Sequence, residues 1–215
     1  HFDLLFKVHF KLLPRVTTML YCQYIFSCTL ESDAILPVYK GSTFRGVFGT
    51  ALKRVVCALK LQDCKDCLLK NKCVYSLVFE IPAPADEANK RTVSAPHPYI
   101  IEPTSSSKTH YKEGDPFDFT LILFGQINDY LPYFIYAIEQ MGMIGIGKKI
   151  SGKRAGFELE NVVTGDGKNV YSRHGKKMKN SGCCRNMTLQ DFSWDIDKSV
   201  SGLEIILETP LRLKF

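Results

Sequence analysis

No stretch of this sequence holds the about 20 consecutive apolar residues needed to span a bilayer. The strongest candidate, from Tyr130 to Ile146, is broken by Pro132, Glu139 and several glycines. A secretion signal is also missing, because Asp3, Lys7, His9 and Lys11 interrupt the apolar positions where such a signal needs a continuous stretch. Nor do the eight cysteines spread out as a disulfide framework would; four crowd into one short segment. These absences exclude a membrane partner and secretion, and they indicate a cytoplasmic protein whose thiols serve a metal. A basic recognition helix is lacking as well, which disfavours a zinc-containing DNA-binding module.

What is present is enough apolar material for a normal core, 45% of 215 residues, and a formal charge of +6 that favours an anionic partner. From Met19 onward a β-branched and aromatic run, Leu20 to Leu30, predicts a strand. A turn over Leu36 to Gly41 then leads into a helix capped by Ser42 and running to about Lys60, with Phe44, Val47, Phe48, Leu52 and Val55 at helical spacing. Gly46 and Gly49 within it are expected to admit another backbone. Further strands are expected at Val74 to Ile81, Tyr99 to Ile101, Phe117 to Ile127 and Phe157 to Val163. A helix with Pro132 in its first turn, capped by Asn128 or Asp129, should present Phe134, Ile138 and Met141 on one face. The order strand, helix, strands, helix, strand is that of an α+β, ferredoxin-like (RRM-like) domain over residues 19–164. Residues 1–18 form an uncertain N-terminal segment and 165–202 a basic hairpin or linker. Residues 203–215 read as the first strand of a second, truncated ferredoxin-like domain.

Two constellations carry chemistry. Cys57, Cys64, Cys67 and Cys73 form a C-x6-C-x2-C-x5-C array. Four thiolates suit tetrahedral zinc and leave no open position, so the expected metal is structural, in an insertion spanning 57–73 that ties the first helix to the next strand. Free thiols or an iron–sulfur cluster remain open on spacing alone. Cys22, Cys28, Cys183 and Cys184 read as core or incidental thiols. The second constellation is local basicity. Between Gly145 and Lys179, nine cations (Lys148, Lys149, Lys153, Arg154, Lys168, Arg173, Lys176, Lys177, Lys179) face three anions (Glu158, Glu160, Asp166). Glycines from Gly142 to Gly156 make this a glycine- and lysine-rich loop suited to a nucleic-acid backbone, with a solvated flexible loop as the alternative. It follows a helix and precedes a strand, the reverse of a dinucleotide fingerprint.

The run Leu36-Pro37-Val38-Tyr39-Lys40-Gly41-Ser42-Thr43-Phe44-Arg45-Gly46-Val47-Phe48-Gly49 is followed in order by the cysteine array, Tyr75 to Phe79, Pro98 to Pro103, Phe119 to Gly125 and the glycine-rich loop. Together they resemble the CRISPR-associated RAMP superfamily, in its crRNA-processing endoribonuclease-like branch. The likeness covers residues 19–164, and the end strand Glu208 to Leu213 is also similar. It implies tandem ferredoxin-like domains, RNA contact through the glycine-rich loop with Lys40, Arg45, Lys148, Lys149, Lys153 and Arg154 as candidates, and metal-independent cleavage of precursor CRISPR repeat RNA leaving a 2′,3′-cyclic phosphate. The alternative is a non-catalytic subunit binding guide RNA beside other CRISPR effector subunits. No histidine lies between Gly41 and Lys60. His9, His97, His110 and His174 each read as an isolated surface imidazole, so the catalytic residues are left unassigned.

Overall fold

The computed structural model describes residues 18–60, 62–80, 96–175, 177–179 and 184–188. Expectations for residues 1–17 with His9, for Lys176 and Cys183, and for all of 189–215 with the end strand lie outside them.

Strand β1 (Met19–Leu30) alternates strictly: Cys22, Tyr24, Phe26, Cys28 and Leu30 are buried, and the residues between them are half-exposed. This two-residue period gives one face to the core and turns the other away. Helix α1 (Gly41–Val56) buries Phe44, Val47, Phe48, Ala51 and Leu52, the stripe its sequence period requires. The helix begins two residues earlier than a Ser42 cap implies and ends at Val56, short of Lys60. Lys40 is its N-cap, no side chain caps it, and Phe44 N donates to Lys40 O at 3.0 Å.

Between β1 and α1 the short strand β2 (Ala34–Ile35) pairs with β4 (His110–Tyr111). After α1, the chain turns through a 3₁₀ segment at Cys64–Asp66 into α2 (Val74–Phe79). A strand was expected there. Its buried residues Val74, Ser76 and Val78 do alternate, but the carbonyls of Cys73 and Ser76 accept from Leu77 and Glu80 in helical bonds. Phe79 turns onto α1, and its ring would lie 3.2 Å from a Cβ at Gly49. Gly49 thus admits a ring rather than a backbone, while a Cβ at Gly46 would meet nothing within 4 Å.

Strand β3 (Tyr99–Pro103) pairs with β5 (Pro116–Phe124), which pairs antiparallel with β1. Beyond Phe124 the expected strand gives way to a 3₁₀ turn over Gly125–Tyr130, where Asn128 Nδ2 donates to Gly125 O at 2.8 Å. Helix α3 (Leu131–Ile144) then carries Pro132 in its first turn and buries Phe134, Ile138 and Met141, as its spacing predicts. Its end, Gly142, packs on the start of β8 (Phe157–Thr164) so closely that a Cβ there would stand 2.0 Å from Phe157 O.

The glycine-rich segment, read as a loop, is a hairpin of β6 (Ile146–Ile150) and β7 (Lys153–Ala155). Its two-residue turn is Ser151-Gly152, with φ of 51° and 83°. Both residues in left-handed space is the turn geometry that matches the twist of paired strands.

The main sheet runs β10-β9-β8-β1-β5-β3, where β9 is Asn169–Ser172 and β10 is Lys177–Met178. Within residues 165–202, β9 and β10 pair antiparallel, Lys177 opposite Ser172. A further strand, β11 (Arg185–Met187), pairs with the first residues of β1, Leu20 opposite Asn186. That pairing brings the Cα atoms of Cys22 and Cys184 to 4.6 Å, and the two are joined by a disulfide rather than being incidental thiols. The helices α1 and α3 pack together on one sheet face, where Phe48 stacks on Phe134 at 5.8 Å and Phe26 on Phe119 at 5.2 Å. Among the described residues no helix is long and apolar enough to cross a membrane.

Candidate nucleic-acid interface

The outward side of α1 carries the residues that its core stripe excludes. Arg45, Gly46, Thr50, Lys53 and Arg54 recur at three- and four-residue steps, so they form one ridge. Three cavities meet along it. The largest, of about 680 Å³, is lined by Arg45, Lys53, Arg54 and Lys60 with the rings of Tyr75 and Phe79 as its far wall. A second, of about 630 Å³, lies between α1 and the β6–β7 hairpin and includes Gly46, Lys148 and Arg154. The third, of about 310 Å³, lies at the start of α1 against β3, with Tyr39, Arg45, His97 and Tyr99. Ser42 lines all three. No carboxylate among the described residues lines any of them. They form a continuous groove with basic walls, floored where Gly46 has no side chain.

The hairpin supplies the second bank. Lys148, Lys149, Lys153 and Arg154 are all exposed and none forms an ion pair among the described residues. Its placement depends on Gly147, with φ of 78° and a Cα so near Ile35 O that a Cβ would stand at 2.5 Å. Of the other cations of this region, Arg173 pairs with Glu158 and Glu160, and Lys168 with Asp166 at 2.9 Å. Lys40 stands apart from the other candidates. It is 5% exposed, and its ammonium donates to Ser106 O at 2.7 Å and Val38 O at 3.2 Å, so it fastens the turn before α1.

At the groove's end, Arg45 Nη2 lies 3.1 Å from His97 Nε2, and Arg45 Nε donates to Tyr99 Oη at 3.4 Å. Burial raises the Tyr99 phenol above its ordinary pKa, against the pull of Arg45. His97 therefore has partners that its sequence neighbourhood did not reveal. They come from 52 residues upstream, although the flanking Pro96 and Pro98 signal a fixed extended backbone. Lys53, Arg54 and Lys60 were also missed; the step of Lys53 and Arg54 along the α1 ridge was the available signal, whereas Lys60 lies beyond the helix end at Val56.

The four-cysteine segment adjoins the same ridge. Cys57 closes α1 with its N–H on Lys53 O at 3.0 Å, Cys67 N donates to Cys64 O at 3.4 Å across the C-x2-C turn, and Cys73 is the N-cap of α2. All four thiols are free and partly exposed. Lys53 Nζ lies 5.1 Å from the centre of the Tyr75 ring, and its pKa is raised, chiefly by Cys64 against the opposing pull of burial, and more weakly by Tyr75 and Cys57. Among the described residues no three His, Cys, Asp or Glu side chains converge on one point at metal-binding geometry. The donor chemistry of four thiols on one short, mostly polar segment fits zinc all the same.

An antiparallel sheet backed on one face by two helices, with cations along the outer side of the first, defines an α+β protein. More particularly, residues 16–182 match the AF_1859_N N-terminal domain, and the chain belongs to that family. It is 26% identical over 141 residues to an uncharacterized protein of Archaeoglobus fulgidus, a stretch covering 63% of this chain and 46% of that one. The chain thus spans about half the length of the curated relative it matches. One chain from a crystal structure of the Csm3–Csm4 subcomplex in the type III-A CRISPR-Cas interference complex matches 80% of this chain over 90% of its own length, at a TM-score of 0.42 and 14% identity.

Proposed function

We propose that this chain is a ferredoxin-like RAMP module of a CRISPR-associated protein that binds repeat or guide RNA in the α1 groove and cuts precursor repeat RNA without a metal. The observation that carries the reading is the meeting of three carboxylate-free cavities along α1, with cations on both banks. A single strand fits such a groove because phosphates follow the cations, while bases stack on exposed rings such as Tyr39. The domain assignment is supported by the strand order β8-β1-β5-β3 with α1 and α3 on one face. In this reading the four cysteines hold a structural zinc that anchors the aromatic wall of the groove, and zinc takes no part in the reaction.

The test is binding of labelled repeat RNA and of the matching DNA across a salt series. Charge reversal at Lys148, Lys149, Lys153 and Arg154 together is expected to weaken RNA binding and to flatten the slope of log affinity against log salt by about 3, at about 0.7 per lost phosphate contact. Unchanged affinity in a folded quadruple variant moves the RNA surface elsewhere. Cleavage is expected to persist in chelator and to vanish when the nucleotide before the scissile bond is 2′-deoxy. A requirement for added magnesium defeats the mechanism.

A further inference from the structure

His97 is held in one tautomer by its surroundings. Its Nδ1 lies 2.9 Å from Val78 O, which can only accept, so Nδ1 carries the proton. Nε2 is then a lone pair, and the Arg45 guanidinium, a donor only, points into it at 3.1 Å. The ring is further packed edge-on against Tyr99, centroids 6.1 Å apart, and near Phe79 at 6.5 Å. A neutral imidazole with its basic nitrogen aimed into a groove, beside a planar cation that can leave it for a phosphate, is more than a surface histidine needs.

We infer that His97 is the general base for attack of an RNA 2′-hydroxyl on the adjacent phosphodiester, with Arg45 as the cation on the developing phosphorane; this rests on the reading of the groove as an RNA site. Arg45 caps Nε2 in the free protein. When a phosphate enters, the guanidinium exchanges the neutral nitrogen for an anion, the stronger partner, and uncovers the lone pair. Nε2 takes the 2′-hydroxyl proton as O2′ forms its bond to phosphorus, and the bond from phosphorus to O5′ breaks. The departing oxygen takes a proton from water in the open groove, and the hydroxide left behind takes the proton from Nε2, which restores both the water and the neutral imidazole. The products are a 2′,3′-cyclic phosphate and a 5′-hydroxyl, with no change of oxidation state.

The experiment measures binding and single-turnover cleavage of repeat RNA separately, with the full-length protein in chelator. In His97→Ala, cleavage is expected to fall about 10²- to 10⁴-fold, the usual effect of losing a general base, with affinity within about twofold of the parent. Added imidazole should restore part of the rate in that variant and none in the parent, an effect that a purely structural role does not produce. His97→Gln, which retains a donor for Val78 O, is expected to be as slow as His97→Ala. Arg45→Met should lose cleavage by a larger factor than binding. If either His97 variant binds and cuts like the parent, or the parent binds RNA and cuts none, the inference is overturned while the RNA site stands. If the parent binds no RNA, the proposed function itself fails.

Discussion

Tyr171 on β9 donates to the carboxylate of Glu139 on α3, tying the sheet's outer strands to the helix layer. Burial first, and then that carboxylate, push its phenol up to about 12 from an ordinary value near 10. Its contribution is therefore fully present below about pH 10 and is lost as pH rises toward about 12, because over that window the unfolded chain releases the proton and the folded chain does not. Urea midpoints measured at pH 9 and pH 11 should fall more in the parent than in Tyr171→Phe; equal losses in both sink the assignment. Single residues were also where the sequence was least legible. Lys40 and Arg45 sit in one motif with the same charge, yet Lys40 turns inward onto two carbonyls and Arg45 outward onto His97. Nothing local distinguishes them, because the deciding partners, Ser106 and His97, are 66 and 52 residues away.

Elements fared better when periodicity was long. The twelve-residue β1 and the helices α1 and α3 lie where their spacing predicts, because a core stripe over three or more turns has one solution. Short pieces did not. Six residues at Val74–Phe79 alternate like a strand but form a helix, and the glycine-rich segment closes into a hairpin through the Ser151-Gly152 turn. The cysteine segment is the extreme case, since its local contacts are turns around Leu69 and Cys67 with no buried residue in the 3₁₀ stretch. A segment with so little core needs another anchor, and zinc binding supplies on the order of 10 kcal/mol in comparable peptides. Metal analysis of the purified protein should find one zinc per chain, and Cys64→Ser with Cys67→Ser should abolish it and lower the melting temperature. Protein purified without chelator that holds no zinc removes this anchor.

At the scale of the whole molecule, the groove joins parts far apart in sequence. Its α1 bank is set by what the core stripe leaves outside, and its hairpin bank by Gly147 lying against Ile35 O. The sequence showed the hairpin bank as a run of charge but concealed the α1 bank, because Arg54 and Lys60 are scattered among apolar residues and gain meaning only beside the cavity they line. The two banks make different predictions. If RNA touches the hairpin alone, Arg54→Glu with Lys60→Glu leaves both affinity and salt slope unchanged. If one strand crosses the groove, that pair should flatten the slope by about 1.4, at about 0.7 per contact, in addition to the loss from the hairpin variant. Lys53 is left in place because it faces Cys64, and its loss would confound RNA contact with the cysteine segment. The banks share no charged partner, so their effects should add in the combined variant to within about 0.5 kcal/mol. Salt titrations of the parent, the two partial variants and the combined variant decide between the paths, and a slope that responds to the hairpin alone confines the RNA to that side.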